Sequence, residues 1–377
     1  MKKLSFGLMR LPLKSDDVKD IDYDEICRMV DYGMERGFNF FDSAYEYHDG
    51  NCDLAVKKCI VDRYPREDFI LSNKFPTYAV DLDVDMEEIF NEQLEKCGVE
   101  YFDYYMLHAL DKKLYEGFVM EKNCFQFLKD LKKQGKIRKI GISFHDDAEL
   151  LERILIENKE IEFVLLQINY LDWINRSIQS SKCYKVAKKY GKEIMVMEPL
   201  KGGVLANLPD DVRMMFEAYN SDMSVASWGI RFAASLEGVS TVLSGMNSMD
   251  DVKDNISYME DFQPLNPTEN KILKQVRRLI IESIPLACTY CDYCIPICPE
   301  NIPISKFLSI YNDACAYDEP QDFHRAYYLN FARKQNPATV CTECGDCEEI
   351  CTQHLKIIDI LKNLEDFLGI GSNQFKL

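Results

Sequence analysis

Eight of the fifteen cysteines in this 377-residue chain fall into two sets with the same spacing, C-x2-C-x2-C-x3-C. The first set comprises Cys288, Cys291, Cys294 and Cys298. The second set comprises Cys341, Cys344, Cys347 and Cys351. Three thiolates this close in sequence can cover one face of a [4Fe–4S] cluster, and a fourth cysteine completes the ligand shell. The spacing therefore predicts two [4Fe–4S] clusters with these eight cysteines as the metal ligands.

Zinc, disulfide bonds and a purely structural role for the clusters remain open as alternatives at the level of sequence. Zinc is held by paired C-x2-C units, but a triplet followed by a fourth cysteine is an unusual pattern for it. Disulfide bonds are less favoured, because a chain of this length can build its own core and does not need covalent staples. The clusters could also act only as staples for a small tail, since bound metal can supply folding free energy.

A second group of chemically suitable residues lies near the amino end. It comprises Asp42, Tyr47, Lys74 and His108. A tyrosine with an ordinary pKa near ~10 is a weak acid, and a neighbouring lysine cation is expected to lower that pKa and ease proton donation. The aspartate can hold the lysine, and the histidine can orient a carbonyl oxygen. Taken singly, each of these residues also fits a structural role, such as a helix cap for Asp42 or a solvated charge for Lys74.

The segments that carry these four residues alternate between strand-like and helix-like patterns. The predicted strands are KLSFGLM, FNFFDSA, DFILSNKF, YFDYYMLHAL, IRKIGISF, FVLLQINY, KEIMVMEPL and VSTVLSGM. An amphipathic segment follows each strand, and this alternation predicts a parallel sheet. Eight such pairs in about 260 residues favour the α/β fold class in its closed (β/α)8 barrel form, whose active sites lie at the carboxyl ends of the strands. The four candidate residues should therefore converge at one end of the barrel.

The strand–helix alternation ends at the segment DFQPLNPTEN, which contains two prolines. A helical pattern follows, and from Pro285 the composition changes to cysteine, proline and further amphipathic stretches. We expect a barrel domain over residues 1–262, a helical linker over 263–284 and a small, mainly helical domain over 285–377.

The first 260 or so residues resemble the aldo-keto reductase family. The motifs that carry the resemblance occur in family order: FDSAYEYHDG, SNKF, LHAL, GISF, QINY, EPLKGG and VLSGMNSMDDVKDN. The resemblance implies that Asp42, Tyr47, Lys74 and His108 form a catalytic tetrad. It also implies that a reduced nicotinamide cofactor, NADPH or NADH, gives hydride to a carbonyl group while Tyr47 gives the proton.

The same resemblance implies a set of cofactor-binding residues. Ser143 and Gln167 fall where the family binds the nicotinamide carboxamide, and the loop after the eighth strand falls where it holds the phosphates and adenine. The full set is Ser143, Gln167, Met197, Pro199, Leu200, Ser244, Gly245, Met246, Asn247, Asp251 and Asn255.

Several positions depart from the family pattern. Met197 occupies a stacking position that is aromatic in many members, and Phe144 with His145 replaces a common asparagine. Asp251 stands where an arginine often pairs with the 2′-phosphate of NADPH, and an acid there disfavours that phosphate. Because Lys253 could supply a cation nearby, the choice between NADP and NAD stays open.

The two cysteine sets resemble those of alpha-helical ferredoxin domains, because 42 residues rich in helical pattern separate Cys298 from Cys341. In two-cluster ferredoxins the fourth cysteine of each set binds the other cluster. The resemblance thus implies that Cys298 joins Cys341, Cys344 and Cys347, whereas Cys351 joins the first three cysteines. A ferredoxin or flavodoxin is the expected electron carrier for such a domain.

The remaining composition excludes several classes of function. The net charge of −18 repels nucleic acid phosphates. No apolar run approaches the ~18 residues of a membrane span, and Arg10 with Pro12 interrupts any apolar segment that could serve as a secretion signal. The other seven cysteines are scattered singly, as small buried hydrophobic residues are. We expect a reducing cytoplasmic location.

These observations favour an oxidoreductase in which a reductase barrel moves hydride and a di-cluster domain moves single electrons. Hydride carries two electrons at once, and no flavin motif that could divide them is readable in the sequence. The alternative is a redox-partner or sensor protein in which the barrel is a scaffold and the cysteine-rich domain docks electron carriers. The sequence does not indicate which carbonyl or alcohol is the substrate.

Overall fold

The computed structural model describes residues 2–15, 17–175, 178–282, 286, 288, 294–315, 322–349, 351 and 355–370. Within these ranges, eight parallel strands form a closed barrel in chain order, with the first strand paired to the eighth. The strands are β1 Leu4–Gly7, β2 Phe40–Asp42, β3 Ile70–Phe75, β4 Phe102–Leu110, β5 Ile137–Phe144, β6 Phe163–Gln167, β7 Glu193–Met197 and β8 Val239–Ser244. The predicted (β/α)8 barrel is confirmed.

Helices occupy the connections between the strands and most of the described carboxyl-terminal region. Those that lie between consecutive strands or directly follow β8 are α1 Tyr23–Met34, α2 Cys52–Val56, α3 Met86–Cys97, α4 Lys112–Leu114, α5 Cys124–Lys133, α6 Ala148–Glu157, α7 Ser180–Lys189, α8 Asp210–Glu217, α9 Val225–Ser235 and α10 Met249–Met259. Those that follow are α11 Pro267–Glu282, α12 Ile304–Cys315, α13 Asp322–Lys334, α14 Asp346–Glu349 and α15 Ile357–Phe367. No helix in these described ranges is both long and apolar enough to cross a membrane.

Polar side chains fix the points where several helices begin. Asp22, Asp85 and Asp147 accept hydrogen bonds from backbone N–H groups in the first turns of α1, α3 and α6. Ser248 does the same for α10. Each cap satisfies N–H groups that have no partner inside the helix, so the sequence itself determines where these helices start.

The barrel has two apolar layers. Side chains that point into the barrel form a cluster of Phe40, Tyr104, Met106, Phe163, Leu165, Met195 and Leu243. A larger cluster fills the space between the strands and the surrounding helices. A Cβ atom at Gly141 on β5 would overlap the ring of Phe163 on the adjacent β6. The glycine is therefore required for the close packing of the interior.

The chain divides into two compact units. The first comprises residues 1–201 and 226–266 and contains the whole barrel, and the second comprises residues 202–225 and 267–377. The second unit has its own apolar core, in which Phe307, Tyr328 and Leu364 are fully buried. The division into a barrel domain, a linker and a cysteine-rich domain at residues 262 and 284 remains a prediction.

Candidate active site

The four residues that the sequence indicated for proton transfer lie at the same end of the barrel. Asp42 is the last residue of β2, Lys74 lies near the end of β3, and His108 lies near the end of β4. Tyr47 follows β2 in the loop that leads to α2. Because parallel strands present their carboxyl ends at one face of the barrel, these side chains converge there.

Lys74 is the centre of this group. Its Nζ atom lies 2.6 Å from Asp42 Oδ2 and 3.2 Å from the hydroxyl oxygen of Tyr47, and it also donates to the backbone oxygen of Ser43 at 2.7 Å. The Lys74 side chain is only 1% exposed, and that of Asp42 is 3% exposed. Ser72 donates to the other carboxylate oxygen of Asp42 at 2.8 Å. A buried, fully paired lysine therefore contacts the tyrosine hydroxyl directly.

The charge states of this group follow from its surroundings. Burial opposes the charged form of Lys74, but Asp42 raises the pKa of Lys74 above its ordinary value. Desolvation raises the pKa of Tyr47 to about 12, and Lys74 offsets this only in part. Lys74 lowers the pKa of Tyr47, as the sequence predicted, but burial has the larger effect, so the net pKa lies above the ordinary value.

His108 is held by a carboxylate that the sequence motifs did not single out. Its Nδ1 atom lies 2.9 Å from Oε1 of Glu46, and the rings of Tyr47 and Tyr78 lie 6.1 Å and 5.3 Å from the imidazole ring. Burial lowers the pKa of His108 despite the neighbouring acid. Burial also opposes ionisation of Glu46, but the hydrogen bond from His108 holds the pKa of Glu46 below its usual value. Glu46 directly precedes Tyr47, and its position in the sequence alone does not show which side chain it contacts.

The near neighbour Tyr45 points to a different partner. Its hydroxyl group donates to Glu92 on α3 at 3.0 Å. Tyr45 is thus not the tyrosine that Lys74 contacts.

A buried polar network contacts the residues next to this group and the backbone of Lys74. Asp53 is 2% exposed and accepts hydrogen bonds from Ser43 at 2.6 Å and from Asn73 at 3.0 Å, both on its Oδ1 atom. Gln93 donates in turn to Asn73 and to the backbone oxygen of Lys74. Burial raises the pKa of Asp53 to about 6. These contacts join the loop after β2, strand β3 and helix α3 around the lysine.

The candidates for the nicotinamide carboxamide lie at the ends of β5 and β6. Ser143 is fully buried, and its hydroxyl lies 3.4 Å from Nε2 of His145. Gln167 is the last residue of β6, and its amide donates to Asp172 at 3.1 Å. Neither this acid nor its partner Lys201, whose Nζ lies 3.0 Å from Asp172, was predicted from the sequence.

Three further predicted contacts follow the end of β7. Met197 closes that strand and is partly exposed, whereas Pro199 is buried and Leu200 is partly buried. The backbone between them has a positive φ of 55° at Glu198. This turn directs the chain away from the strand direction immediately after Met197.

The loop after β8 carries the remaining candidates. Ser244 and Asn255 are buried and hydrogen-bonded to each other at 2.7 Å, and Met246 is also buried. Gly245 and Asn247 are exposed. Asp251 accepts a hydrogen bond from the backbone N–H of Asn247 at 3.1 Å. The acid thus lies in the first turn of α10, at the helix end that carries the positive partial charge.

A cation from the amino-terminal part of the chain, Arg10, lies against this loop. Cδ of Arg10 is 3.2 Å from the position that a Cβ atom would take on Gly245, and the Arg10 side chain is exposed. Arg10 follows β1, which is adjacent to β8 in the closed barrel. This proximity was not predicted from the sequence, because it arises only when the barrel closes.

In the second unit, four cysteines line one cavity. They are Cys298, Cys341, Cys344 and Cys347. The cavity is small, with a volume of about 10 Å³, and its wall is completed mainly by apolar side chains such as Ile302, Ile304 and Leu361. Burial raises the pKa of the Cys347 thiol to about 11, and the nearby thiol of Cys341 adds to the effect. The crossed ligand assignment groups the same four cysteines, and that assignment remains a prediction.

The other predicted set is described only in part. Cys288, Cys294 and Cys351 pack against the apolar core of the second unit, and Cys291 lies outside the described residues. No group of three or more His, Cys, Asp or Glu side chains in the described part of the chain is arranged to hold a metal ion, so the predicted metal sites are not supported there.

Comparison with known proteins adds to this geometry. The model of the aldo/keto reductase family matches residues 3–278. The chain is 26% identical over 178 residues to the NAD(P)H-dependent D-xylose reductase of Scheffersomyces stipitis, covering 41% of this chain and 55% of that protein. It is 25% identical over 186 residues to the NADH-specific methylglyoxal reductase of Escherichia coli, covering 45% and 54%. The chain thus spans about half the length of these two relatives.

A solved structure is similar over a larger part of the chain. The holo form of the aldo-keto reductase AKR11C1 from Bacillus halodurans superposes with a TM-score of 0.59, covering 73% of this chain and 91% of that one. At 22% identity, this likeness shows a shared fold.

Proposed function

The chain belongs to the aldo/keto reductase family, and we propose that it reduces a carbonyl compound with a nicotinamide cofactor or oxidises the corresponding alcohol. The observation that carries this proposal is the contact of Lys74 with both Asp42 and the hydroxyl group of Tyr47. A buried lysine that is paired on one side and touches a phenol on the other is suited to proton transfer.

The proposed roles follow from the contacts of each residue. Tyr47 donates the proton to the carbonyl oxygen, and its raised pKa keeps the hydroxyl group protonated throughout the neutral range. Lys74 stabilises the negative charge that forms on Tyr47 as the proton leaves, and Asp42 keeps Lys74 charged and oriented. A reduced nicotinamide, when bound, supplies the hydride that the carbonyl carbon accepts.

The residues around the barrel end fit such a cofactor. Ser143 and Gln167 offer a hydroxyl and an amide at adjacent strand ends, as recognition of a carboxamide requires. The start of α10 offers backbone N–H groups to phosphates, and Arg10 offers a cation beside Gly245. Met197, Pro199 and Leu200 would line the nicotinamide, and Ser244, Met246, Asn247 and Asn255 would hold the phosphates and adenine.

The choice between NAD and NADP depends on the first turn of α10. Asp251 already accepts one of the N–H groups of this loop, and its charge repels a 2′-phosphate. The two similar reductases named above use NAD(P)H and NADH. We therefore propose that this protein accepts NADH at least as well as NADPH.

We further propose that the carboxyl-terminal region, residues 285–377, binds two [4Fe–4S] clusters. The spacing of the eight cysteines carries this proposal, and four of them, Cys298, Cys341, Cys344 and Cys347, line one small cavity. Cys288, Cys291, Cys294 and Cys351 would hold the second cluster. Such clusters exchange single electrons, for which a ferredoxin or flavodoxin would be the external carrier.

The alternative, a redox partner or sensor with a scaffold barrel, is not favoured. A scaffold has no need for the paired Asp42 and Lys74 or for their contact with Tyr47.

Two assays on protein purified without oxygen test the proposal. The first follows oxidation of NADH and NADPH with a panel of aldehydes and ketones, and the second measures iron and acid-labile sulfide. Absence of both turnover and cofactor binding would remove the reductase assignment. A colourless protein that contains zinc and no sulfide would remove the iron–sulfur assignment.

A further inference from the structure

A buried ion pair just beyond the ends of β6 and β7 has no part in the proposed proton transfer. Lys201 Nζ lies 3.0 Å from Oδ1 and 3.3 Å from Oδ2 of Asp172. The side chains of Lys201 and Asp172 are 6% and 1% exposed. A pair buried this deeply adds little to stability by itself, because the cost of removing both charges from water offsets their attraction. Its other contacts therefore indicate what it is used for.

Asp172 also accepts hydrogen bonds from two side-chain amides. Gln167 Nε2 donates to Oδ2 at 3.1 Å, and Asn169 Nδ2 donates to the same oxygen at 2.8 Å. Asn169 is held by two backbone groups as well. In the described ranges, by contrast, the side chain of Gln167 forms its hydrogen bond with Asp172 alone. The orientation of the Gln167 amide thus depends on this carboxylate.

The carboxylate determines which half of the Gln167 amide is left for a ligand. An ionised carboxylate only accepts hydrogen bonds, so the amide must turn its NH2 group towards Asp172. The amide oxygen of Gln167 remains as an acceptor, and no group in the described part of the chain donates to it. Gln167 ends β6, and the buried Ser143 lies near the end of the adjacent β5. These two strand ends therefore offer a fixed acceptor and a hydroxyl group that can donate.

The same cluster also holds the turn that follows β7. Glu198 and Lys201 have positive φ values of 55° and 48°, which residues other than glycine rarely adopt. The amide of Asn169 donates to the backbone oxygen of Glu198 at 3.2 Å, and Lys201 is bound to Asp172. A purely structural role for the ion pair would be to hold this turn, and that role would not depend on the orientation of the Gln167 amide.

We propose that Asp172, held by Lys201, is a positioning residue that presents the oxygen of Gln167 to the amide NH2 group of the nicotinamide cofactor. The inference rests on the proposed function, in which Ser143 and Gln167 bind the carboxamide. The carbonyl oxygen of that group pairs with the Ser143 hydroxyl, and its NH2 group pairs with the Gln167 oxygen. A cofactor without the NH2 group leaves this oxygen without a donor, and a site built to pair with such a group rejects analogues that lack it.

Binding of two dinucleotides to the full-length protein tests the orientation without turnover. NAD carries the carboxamide, and 3-acetylpyridine adenine dinucleotide carries a methyl group in place of the NH2 group. The two molecules are otherwise the same and have equal charge. We expect the unaltered protein to bind NAD at least about tenfold more tightly, as measured by titration calorimetry. Equal affinities would overturn the proposal.

Asp172→Asn should reduce this preference. The new side chain can offer an NH2 group, so the Gln167 amide can turn round and the ratio of the two dissociation constants should fall towards one. Asp172→Asn combined with Lys201→Met removes the buried charge that the single change leaves unpaired, and it should give the same ratio. If the ion pair only holds the turn after β7, both dinucleotides lose affinity together and the ratio persists, which would refute the positioning role.

Asp103→Asn is the matched control. Asp103 is also a buried carboxylate in ion pairs, with Arg66 and Arg138, but it lies near the start of β4, at the opposite end of the barrel. This variant should keep the ratio of the unaltered protein, and an equal fall in it would overturn the assignment to Asp172. The expected ratios without any carbonyl turnover would contradict the proposed reduction alone. Turnover with equal affinities for the two dinucleotides would contradict this inference alone.

Discussion

Tyr47 is the residue on which the proposed chemistry depends most directly. In Tyr47→Phe the ring remains and the proton donor is lost, so we predict that carbonyl reduction falls by about 10²–10⁴-fold. Affinity for the nicotinamide cofactor should change little. Steady-state rates and a cofactor titration, measured on the same preparation, check both expectations.

Tyr45→Phe is the control for this change. Its hydroxyl group donates to Glu92 and does not contact Lys74 in the described structure. It should keep nearly full activity. Equal losses in the two variants would show that the position of Tyr47 beside Lys74 has no catalytic meaning.

Sequence reasoning selected the four candidate residues that the structure brings together, but not their electrostatics. The residue types and the order of their motifs along the chain were enough to place Asp42, Lys74 and His108 at strand ends. The pKa of Tyr47 depends on how much water is removed from its hydroxyl group, which only the packed structure determines. Glu46 was missed for a similar reason, because a loop of a few residues can turn its carboxylate in any direction.

Asp53 ties the loop after β2 to strand β3, and it should make the stability of the barrel depend on pH. Burial raises its pKa to about 6, compared with about 3.9 in an unfolded chain. Between these values the folded protein binds more protons at this site, so the free energy of unfolding falls as the pH rises. We predict that Asp53→Asn removes this loss.

The comparison needs the free energy of unfolding at two pH values. Relative to the unaltered protein, Asp53→Asn should gain about 1–2 kcal/mol between pH 5 and pH 7.5. Denaturant unfolding at both pH values provides the measurement. A difference between the two proteins that is the same at both pH values would show that Asp53 does not titrate in this range.

The first turn of α10 should control cofactor choice. In Asp251→Asn the side chain can still accept from Asn247 but no longer repels a 2′-phosphate. We predict that affinity for NADPH rises severalfold, about 1 kcal/mol, while affinity for NADH stays nearly constant. Asp250→Asn, in the same turn and exposed, is the control. An unchanged ratio of the two dissociation constants in Asp251→Asn would argue that the phosphate lies elsewhere.

The contact between β5 and β6 should tolerate no side chain at Gly141. A methyl group there would overlap the Phe163 ring inside the barrel. We predict that Gly141→Ala lowers the free energy of unfolding by about 1–3 kcal/mol, the usual effect of overpacking a core. Denaturant unfolding measures this change.

Gly117→Ala is the control, since a Cβ atom there would meet no atom within 4 Å. Its stability should stay the same or rise slightly, because alanine has less freedom than glycine in the unfolded chain. If both variants lose the same stability, the tight packing at Gly141 is not the cause.

The order and type of the barrel elements could be predicted, because each strand is an apolar run followed by an amphipathic segment. Helix α8 was not predicted, since the segment between β7 and α9 contains prolines and acidic residues that resemble a loop. The proximity of Arg10 to Gly245 could not be predicted either. Closure of the barrel brings together residues 235 positions apart, and no local sequence pattern indicates such a contact.

At the scale of the whole molecule, the cysteine sets could be recognised as candidate ligands because the members of each set lie within eleven residues of one another. Their grouping was not readable from spacing alone and came from the resemblance to ferredoxin domains. Cys298 lines one cavity with three cysteines of the second set, and the crossed assignment remains a prediction. Whether the carboxyl-terminal unit takes part in the proposed reaction depends on whether it binds clusters, and the candidate ligands are the first point to test.

Replacing Cys298 tests this grouping in the full chain. Protein purified without oxygen should contain about eight irons, four for each cluster. In Cys298→Ser the cluster bound by Cys341, Cys344 and Cys347 loses its fourth thiolate. We predict that about half of the iron and sulfide is retained, and that reduction leaves one paramagnetic signal in place of two interacting ones.

Cys315→Ser is the matched control, because Cys315 is a partly exposed cysteine of α12 that belongs to neither set. It should keep the full iron content. The discriminating comparison is with Cys351→Ser, which should damage the other cluster and leave the one at the cavity. If Cys298→Ser and Cys351→Ser leave the same signal, the fourth cysteines do not cross between the sets. If Cys298→Ser retains all of its iron, the four thiols around the cavity do not bind a cluster together, and the electron-transfer role proposed for this region loses its structural basis.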